Sequence, residues 1–328
     1  MNWDSIKGWW GQKVNGVSYN IDIINACSLR CPSCAIGSMG TSRGGKKMSI
    51  EMFRQILDKA QKEAKVRKVQ FYAYSDPCLH PDLHLFIQEC ADRGIYSAIS
   101  TMMQVYACDM QKVLDAQPTE FRISWPGWER MSYYQTGANP ERFDKNIEKF
   151  IGLKVHPKTK LTMAFHLYND NQHEYDRAQA LAHRVGAKLT AIPAIFMPCE
   201  KVVEKTYTKA DLELISHLNE TPEESISRMT NNESYCLLWK QVTIDSEGMV
   251  YLCQLVYEDR FKLVSFLDVP LKVIQKTIRD HPFCGKCMKA GGHTYQYCYD
   301  DFVLSDSPVK DANSKRRMDG KYTESPIE

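Results

Sequence analysis

The sequence predicts an α/β protein: a parallel sheet with helices outside it, followed by a smaller unit made of a β-hairpin and a helix. Three observations predict this. Strand-forming segments recur six times between Val17 and Ile195, each separated from the next by helical apolar spacing, and that alternation favours parallel strands joined by helical crossovers. The helical segments carry start and stop residues at their ends, among them Ser49, Asn139 and Gly94. Beyond residue 240 the order changes: Gln241 to Asp245 and Met249 to Leu255, joined by Ser246-Glu247-Gly248, form the pattern of a hairpin.

Taken in order, Asn15-Gly16 marks a turn, and Val17, Tyr19, Ile21 and Ile23 alternate along a first strand that runs to Ala26 and ends at Cys27. Ile50, Phe53, Ile56, Leu57, Ala60 and Ala64 then recur at helical spacing behind the N-cap candidate Ser49. Val69, Phe71 and Ala73 form a second strand ending in Tyr74-Ser75-Asp76-Pro77, and the next helix starts at Pro81 and closes at Gly94. Ile95 to Thr101, Phe121 to Trp125, Leu161 to Tyr168 and Lys188 to Ile195 are strands three to six. Pro140 to Ile151 and Gln172 to Val185 are helices between them. Thr208 to Asp211 reads as a capping box opening a helix toward Leu218. Polar residues Asn219 to Glu233 mark a boundary, a helix is expected over Leu271 to Ile278, and the residues from Asp300 on are polar without an apolar period. The domains so drawn are an N-terminal extension (1–16), a strand-and-helix domain (17–218), a smaller domain (219–300) and a polar tail (301–328).

A chain of 328 residues, 43% of them hydrophobic, can bury one large core plus a small appendage. A net charge of +2 gives no global drive toward nucleic acid or membrane; Lys315-Arg316-Arg317 reads as a solvated terminus, with contact to DNA left open. No apolar run reaches the ~18 residues of a spanning helix, and the residues up to Lys13 lack the pattern of a secretory signal. Twelve cysteines in a chain so well supplied with core residues point to metal ligation more than to disulfides, and a reducing, cytoplasmic setting is expected.

Three of those cysteines share one loop, Cys27-Ser28-Leu29-Arg30-Cys31-Pro32-Ser33-Cys34. Three thiolates hold three corners of a four-iron cluster and leave the fourth iron open to another ligand. Zinc and free redox thiols are the other readings, but structural zinc takes four closed ligands and no His lies nearby to complete such a set. The arrangement CxxxCxxC resembles the cluster loop of the radical S-adenosylmethionine (SAM) superfamily. The resemblance implies a [4Fe-4S] cluster on Cys27, Cys31 and Cys34 with SAM on its free iron. It also implies reductive cleavage of SAM to a 5'-deoxyadenosyl radical that removes hydrogen from carbon. It sharpens the fold to a partial (β/α)6 TIM-type barrel, in place of a full eight-unit barrel or a doubly wound sheet, with the loop at the C-terminal edge of strand one. Ser33 stands where many members carry an aromatic residue.

A second set, Cys236, Cys253 and the C-x2-C pair Cys284 and Cys287, falls in the smaller domain. The run from Cys236 through Gly248 to Cys253, followed by that pair, resembles the SPASM domain in its shortened twitch form. This implies one fully ligated auxiliary [4Fe-4S] cluster in a C-terminal β-hairpin/helix iron-sulfur domain. A zinc ribbon is built from the same kind of set, so zinc stays open here. Cys298 is left over, readable as a ligand, a proton donor to a substrate radical or a buried thiol. Cys78, Cys90, Cys108 and Cys199 are expected to be buried thiols.

In the same superfamily an acidic residue after strand two accepts hydrogen bonds from the SAM amino group, and polar residues ending strands three and four contact its ribose and carboxylate. By resemblance Ser75 and Asp76, then Ser100, Thr101 and Ser124, take those places. His166, Asn169, Tyr72 and Tyr74 are candidates to face the barrel interior, though alternation alone does not orient them; His166 and Cys298 are the candidate catalytic groups. The function implied is a radical SAM oxidoreductase or isomerase acting on a small-molecule or carrier-borne (nucleotide or peptide) substrate. A flavodoxin- or ferredoxin-type protein would be the reductant, and the auxiliary cluster would relay electrons. With 26 residues before Cys27, a peptide maturase that needs a leader-recognition domain is disfavoured. Redox-neutral isomerisation of an amino-acid-modified thymine in viral DNA is the specific alternative. An iron-sulfur electron carrier or a zinc-stabilised binding module is the non-enzymatic one.

Overall fold

Six strands, β1 (Val17–Ile21), β2 (Val66–Gln70), β3 (Tyr96–Thr101), β4 (Glu120–Trp125), β5 (Lys160–Leu167) and β6 (Lys188–Pro193), pair in parallel in the order of the chain. The computed structural model describes residues 16–40, 44–228 and 236–295; the expected N-terminal extension up to residue 15, Cys298 and the polar tail lie outside the described residues. Between the strands run α1 (Ala35–Met39), α2 (Ile50–Glu63), α3 (Leu83–Asp92), α4 (Met110–Asp115), α5 (Met131–Tyr134), α6 (Pro140–Ile151) and α7 (Tyr175–Val185). The fold is an α/β partial barrel.

Helix ends follow the local chemistry. Ser49 accepts a hydrogen bond from the Met52 N–H (3.1 Å), Asn139 from the Arg142 N–H (2.7 Å), and Thr208 with Asp211 forms the expected capping box. The first strand is shorter than its apolar pattern suggests. It stops at Ile21 because Asp22 turns its carboxylate toward the second crossover, and Ile24 then bridges to Lys47.

Strand alternation sorts the sheet into two unlike faces. Tyr19, Ile21, Val69, Ile99, Ile123 and Phe165 are fully buried on the face that the helices cover, against Phe53 and Ile56 of α2 and Phe143 and Ile147 of α6. Trp125 stacks on Phe143 with ring centroids 5.6 Å apart. Each such ring or aliphatic side chain removed from water contributes about 2 kcal/mol. The other face is polar, carrying Asn20, Lys68, Gln70, Arg122, Ser124 and His166. Toward its base Glu120 joins Arg122 (3.2 Å), Lys68 (3.8 Å) and the Tyr96 hydroxyl (2.9 Å). Burial pushes the Glu120 carboxyl up, but Arg122 and Lys68 outweigh it and hold the carboxyl below its ordinary range.

After β6 the chain forms α8 (Cys199–Glu204), α9 (Lys209–Ile215) and α10 (Pro222–Arg228), then β7 (Gln241–Ile244), β8 (Met249–Tyr251) and β9 (Lys262–Ser265). β7 lies parallel to β1 on its free edge, and β8 and β9 follow antiparallel, so the hairpin extends the barrel sheet to nine strands. This covers an edge that would otherwise expose a row of unpaired backbone groups. Helices α11 (Leu271–Asp280), α12 (Pro282–Lys289) and α13 (Gly292–Tyr295) complete the described chain. Among the described residues no helix is long and apolar enough to cross a membrane.

Candidate functional site

The chemistry-bearing side chains gather where the parallel strands end, at the C-terminal edge of the sheet. The cysteine loop follows β1. The Cys34 N–H donates to the Cys31 carbonyl (3.0 Å), closing the shorter spacing into one turn, and α1 begins immediately after Cys34. Arg30 donates to the carbonyls of Cys27 (2.9 Å) and Leu29 (2.8 Å), and its own N–H reaches the Thr136 carbonyl (2.8 Å), pinning the loop to the crossover after β4. A Cβ on Gly37 would sit 2.0 Å from the Cys31 carbonyl oxygen, so glycine is what lets α1 run under the loop.

The three thiols are crowded together. Burial first, and then the charges of Cys34 and Cys27, raise the Cys31 thiol well above its usual value; burial and the charge of Asp76 push Cys27 up to about 12. Among the described residues no three side chains converge as ligands of a single metal ion.

Two buried carboxylates flank the loop. Asp22, just past β1, accepts from the N–H groups of Ala73 (3.0 Å) and Tyr74 (3.1 Å) and from the Ser75 hydroxyl (2.6 Å). Sequence reasoning missed Asp22; its signal was an acid placed between Ile21 and Ile23 in an otherwise apolar alternation. Asp76 accepts from the Cys78 N–H (3.0 Å) and the Thr101 hydroxyl (2.9 Å) at the end of β3. Burial pushes its carboxyl up to about 6, against the pull of those hydrogen bonds. Beside Cys27 a cavity of about 340 Å³ is lined by Asp22, Asn25, Arg30, Tyr74 and Tyr257.

The other expected residues spread along the same edge. Ser124 and His166 meet across β4 and β5, Oγ to Nε2 at 2.7 Å, and Ser100 lies half-buried, paired in register with Arg122. The Arg122 guanidinium sits over the Tyr72 ring (5.4 Å), whereas the Tyr74 hydroxyl donates to the Val256 carbonyl (2.6 Å). Asn169 faces elsewhere and donates to the Ser216 carbonyl (2.8 Å). Tyr168, at the end of β5, shares a hydrogen bond with Ser33 and stacks on Tyr134 with centroids 3.5 Å apart. An aromatic side chain thus reaches the loop at Ser33 from the residue that follows β5.

The second thiol set also assembles. Cys236, Cys253, Cys284 and Cys287 line one apolar cavity with Trp239 and Leu252. Burial, followed by the charges of Cys236, Cys284 and Cys287, raises the Cys253 thiol well above its usual value. Cys199, expected to be an inert buried thiol, lines the same cavity, and its Sγ is 3.8 Å from that of Cys287. Its sequence distance from the hairpin gave no signal. The strap that carries it links the two thiol sites: the Met197 N–H donates to the Ser33 carbonyl (2.8 Å) and Lys201 Nζ to the Ser38 carbonyl (3.1 Å). Cys78 and Cys108 are buried against each other, and Cys90 is buried in α3.

No protein-family model matches the chain. Over 94 residues it is 29% identical to the tungsten-containing aldehyde ferredoxin oxidoreductase cofactor-modifying protein of Pyrococcus furiosus, a stretch covering 29% of this chain and 26% of that protein. The match therefore spans about a quarter of that relative's length. Among solved structures, anSMEcpe with bound AdoMet superposes with a TM-score of 0.54 at 12% identity, covering 92% of this chain and 96% of that one. SuiB of Streptococcus suis bound to S-adenosylmethionine gives 0.54 at 13% identity, covering 87% and 70%. The chain shares its α/β fold with these S-adenosylmethionine-bound structures. Both of these proteins have also been solved with peptides, anSMEcpe with Cp18Cys and SuiB with the precursor peptide SuiA.

Proposed function

We propose that the chain is a radical SAM enzyme that removes hydrogen from a carbon of a small or carrier-borne polar substrate, with an auxiliary iron-sulfur cluster in the second thiol set. The observation that carries this is one juxtaposition: the three-thiol loop, the buried Asp76 and the polar face of the sheet meet at the same strand ends. The donor sets fit such clusters. Buried thiols keep their protons until a metal takes their place, and three on one loop match three corners of a four-iron cluster. Four thiols lining one cavity form a donor set that zinc and an iron-sulfur cluster share, and the iron-sulfur type of the first loop favours the cluster.

Cys27, Cys31 and Cys34 would hold a four-iron cluster, which would supply one-electron reducing chemistry to a bound SAM. The chain's own residues bind and orient. Asp76 offers its charge beside Cys27 to the SAM amino group, Ser75 and Thr101 fix the turn around it, and Ser100 and Ser124 offer hydroxyls for ribose and carboxylate. His166, oriented by Ser124, and the buried acceptors Gln70 Oε1 and Thr162 Oγ1 on the same face provide contacts for a polar substrate. A peptide is the second reading of that substrate, favoured by the peptide complexes of anSMEcpe and SuiB.

The test is anaerobic reconstitution with iron and sulfide counting, plus 5'-deoxyadenosine assay after dithionite and SAM, on the native chain and on Cys27→Ala/Cys31→Ala/Cys34→Ala. The expected result is about eight irons falling to about four, with 5'-deoxyadenosine lost in the triple variant. Unchanged 5'-deoxyadenosine in that variant, or no iron dependence, overturns the reading.

A further inference from the structure

The second site holds one thiol more than a four-iron cluster uses. Cys236, Cys253, Cys284 and Cys287 already supply four, and the fifth, Cys199, is 1% exposed and enters the same cavity from α8, outside the hairpin. Its position is built. The Cys199 N–H donates to the Leu255 carbonyl (3.0 Å), which ties the start of α8 to the segment that follows Cys253. Opposite, a Cβ on Gly292 would sit 2.8 Å from Val203 Cγ2, 3.1 Å from the Cys287 sulfur and 3.3 Å from the Cys199 sulfur, so the bare glycine packs directly against both thiols. The Cys199 sulfur lies 3.8 Å from that of Cys287.

We propose that Cys199 is an exchange ligand of the auxiliary cluster, able to take the iron corner held by Cys287. This rests on the reading of the second set as an iron-sulfur site. In the exchange one iron–sulfur bond at Cys287 breaks and one at Cys199 forms. The proton leaving the Cys199 thiol passes to the released Cys287 sulfur 3.8 Å away, and the electron count of the cluster does not change. A five-thiol site of this kind keeps its cluster when the Cys287 thiolate is lost to oxidation or alkylation, which a four-thiol site does not.

The experiment uses the full chain with Cys27, Cys31 and Cys34 replaced by Ala, so that iron reports the auxiliary site alone. Iron and sulfide are counted after anaerobic reconstitution, and the electron paramagnetic resonance spectrum of the reduced protein is recorded. The parent is expected to hold about four irons, Cys287→Ala about four with shifted g-values, Cys199→Ala about four with the parent's spectrum, and Cys199→Ala/Cys287→Ala fewer than about one. Because the exchange is with Cys287, Cys236→Ala is expected to lose the cluster, and far-UV circular dichroism of each variant checks that it is folded. Loss of iron in folded Cys287→Ala equal to that in the double variant overturns the proposal, as does retention in Cys236→Ala. A parent without iron removes the auxiliary-cluster reading itself, and this proposal with it.

Discussion

Gly37 shows how much a single residue can decide in the thiol loop. Its missing Cβ leaves 2.0 Å where a methyl group would meet the Cys31 carbonyl, and that contact is with backbone, which cannot swing aside as a side chain would. Gly37→Ala therefore has to move the turn that sets the spacing of Cys31 and Cys34. We expect it to cut iron at the first site by more than half while leaving the second site loaded; full iron at both sites on reconstitution would contradict this. Ser33 carries the opposite lesson. In the sequence it looked like the loss of an aromatic neighbour to Cys34, yet Tyr168 comes within hydrogen-bonding reach of it from the end of β5. A loop can borrow a ring that its own sequence lacks.

At the scale of elements, α8 and α9 hold the strap between the two thiol sites. Lys201 is buried, donates to the Ser38 carbonyl at the end of α1 and pairs with Asp211 Oδ2 at 2.8 Å; the same oxygen accepts from the Thr208 N–H in the capping box. Removing the ammonium leaves a buried carboxylate unpaired, which costs about 3 kcal/mol. Lys201→Met is expected to lower stability by that amount in urea denaturation, and Lys201→Met/Asp211→Leu to recover part of it; no recovery in the double variant would mean that the ion pair is not the source. Caps and apolar periods made most elements legible: Ser49, Asn139 and Thr208 open helices where the sequence places them. The short elements were not legible. α8, β9 and α12 span 6, 4 and 8 residues, too few for a period to stand out, and packing from elsewhere in the chain decides their conformation.

For the whole molecule, the seam between β1 and β7 is the decisive contact. Two stretches more than 200 residues apart pair in register, Tyr19 against Val242 and Ile21 against Ile244, and all four side chains are buried. The hairpin of the smaller unit is thereby part of the barrel sheet. A charge placed on that seam should unsettle both thiol sites together. Val242→Asp buries an unpaired carboxylate at a cost of several kcal/mol, and we expect iron at both sites to fall in parallel after reconstitution. A full first site beside an empty second one would show that the two units fold independently. The sequence by itself determined the alternation of strands and helices, the two cysteine groups and the polar residues at strand ends, because spacing along the chain sets which face a side chain occupies. Tertiary structure alone decided that β7 joins β1, that Asp22 holds the turn after β2, that His166 meets Ser124, and that Cys199 enters the second thiol set. The reason is physical: these contacts join residues far apart in the chain, and local propensity carries no record of which distant partner removes a given surface from water.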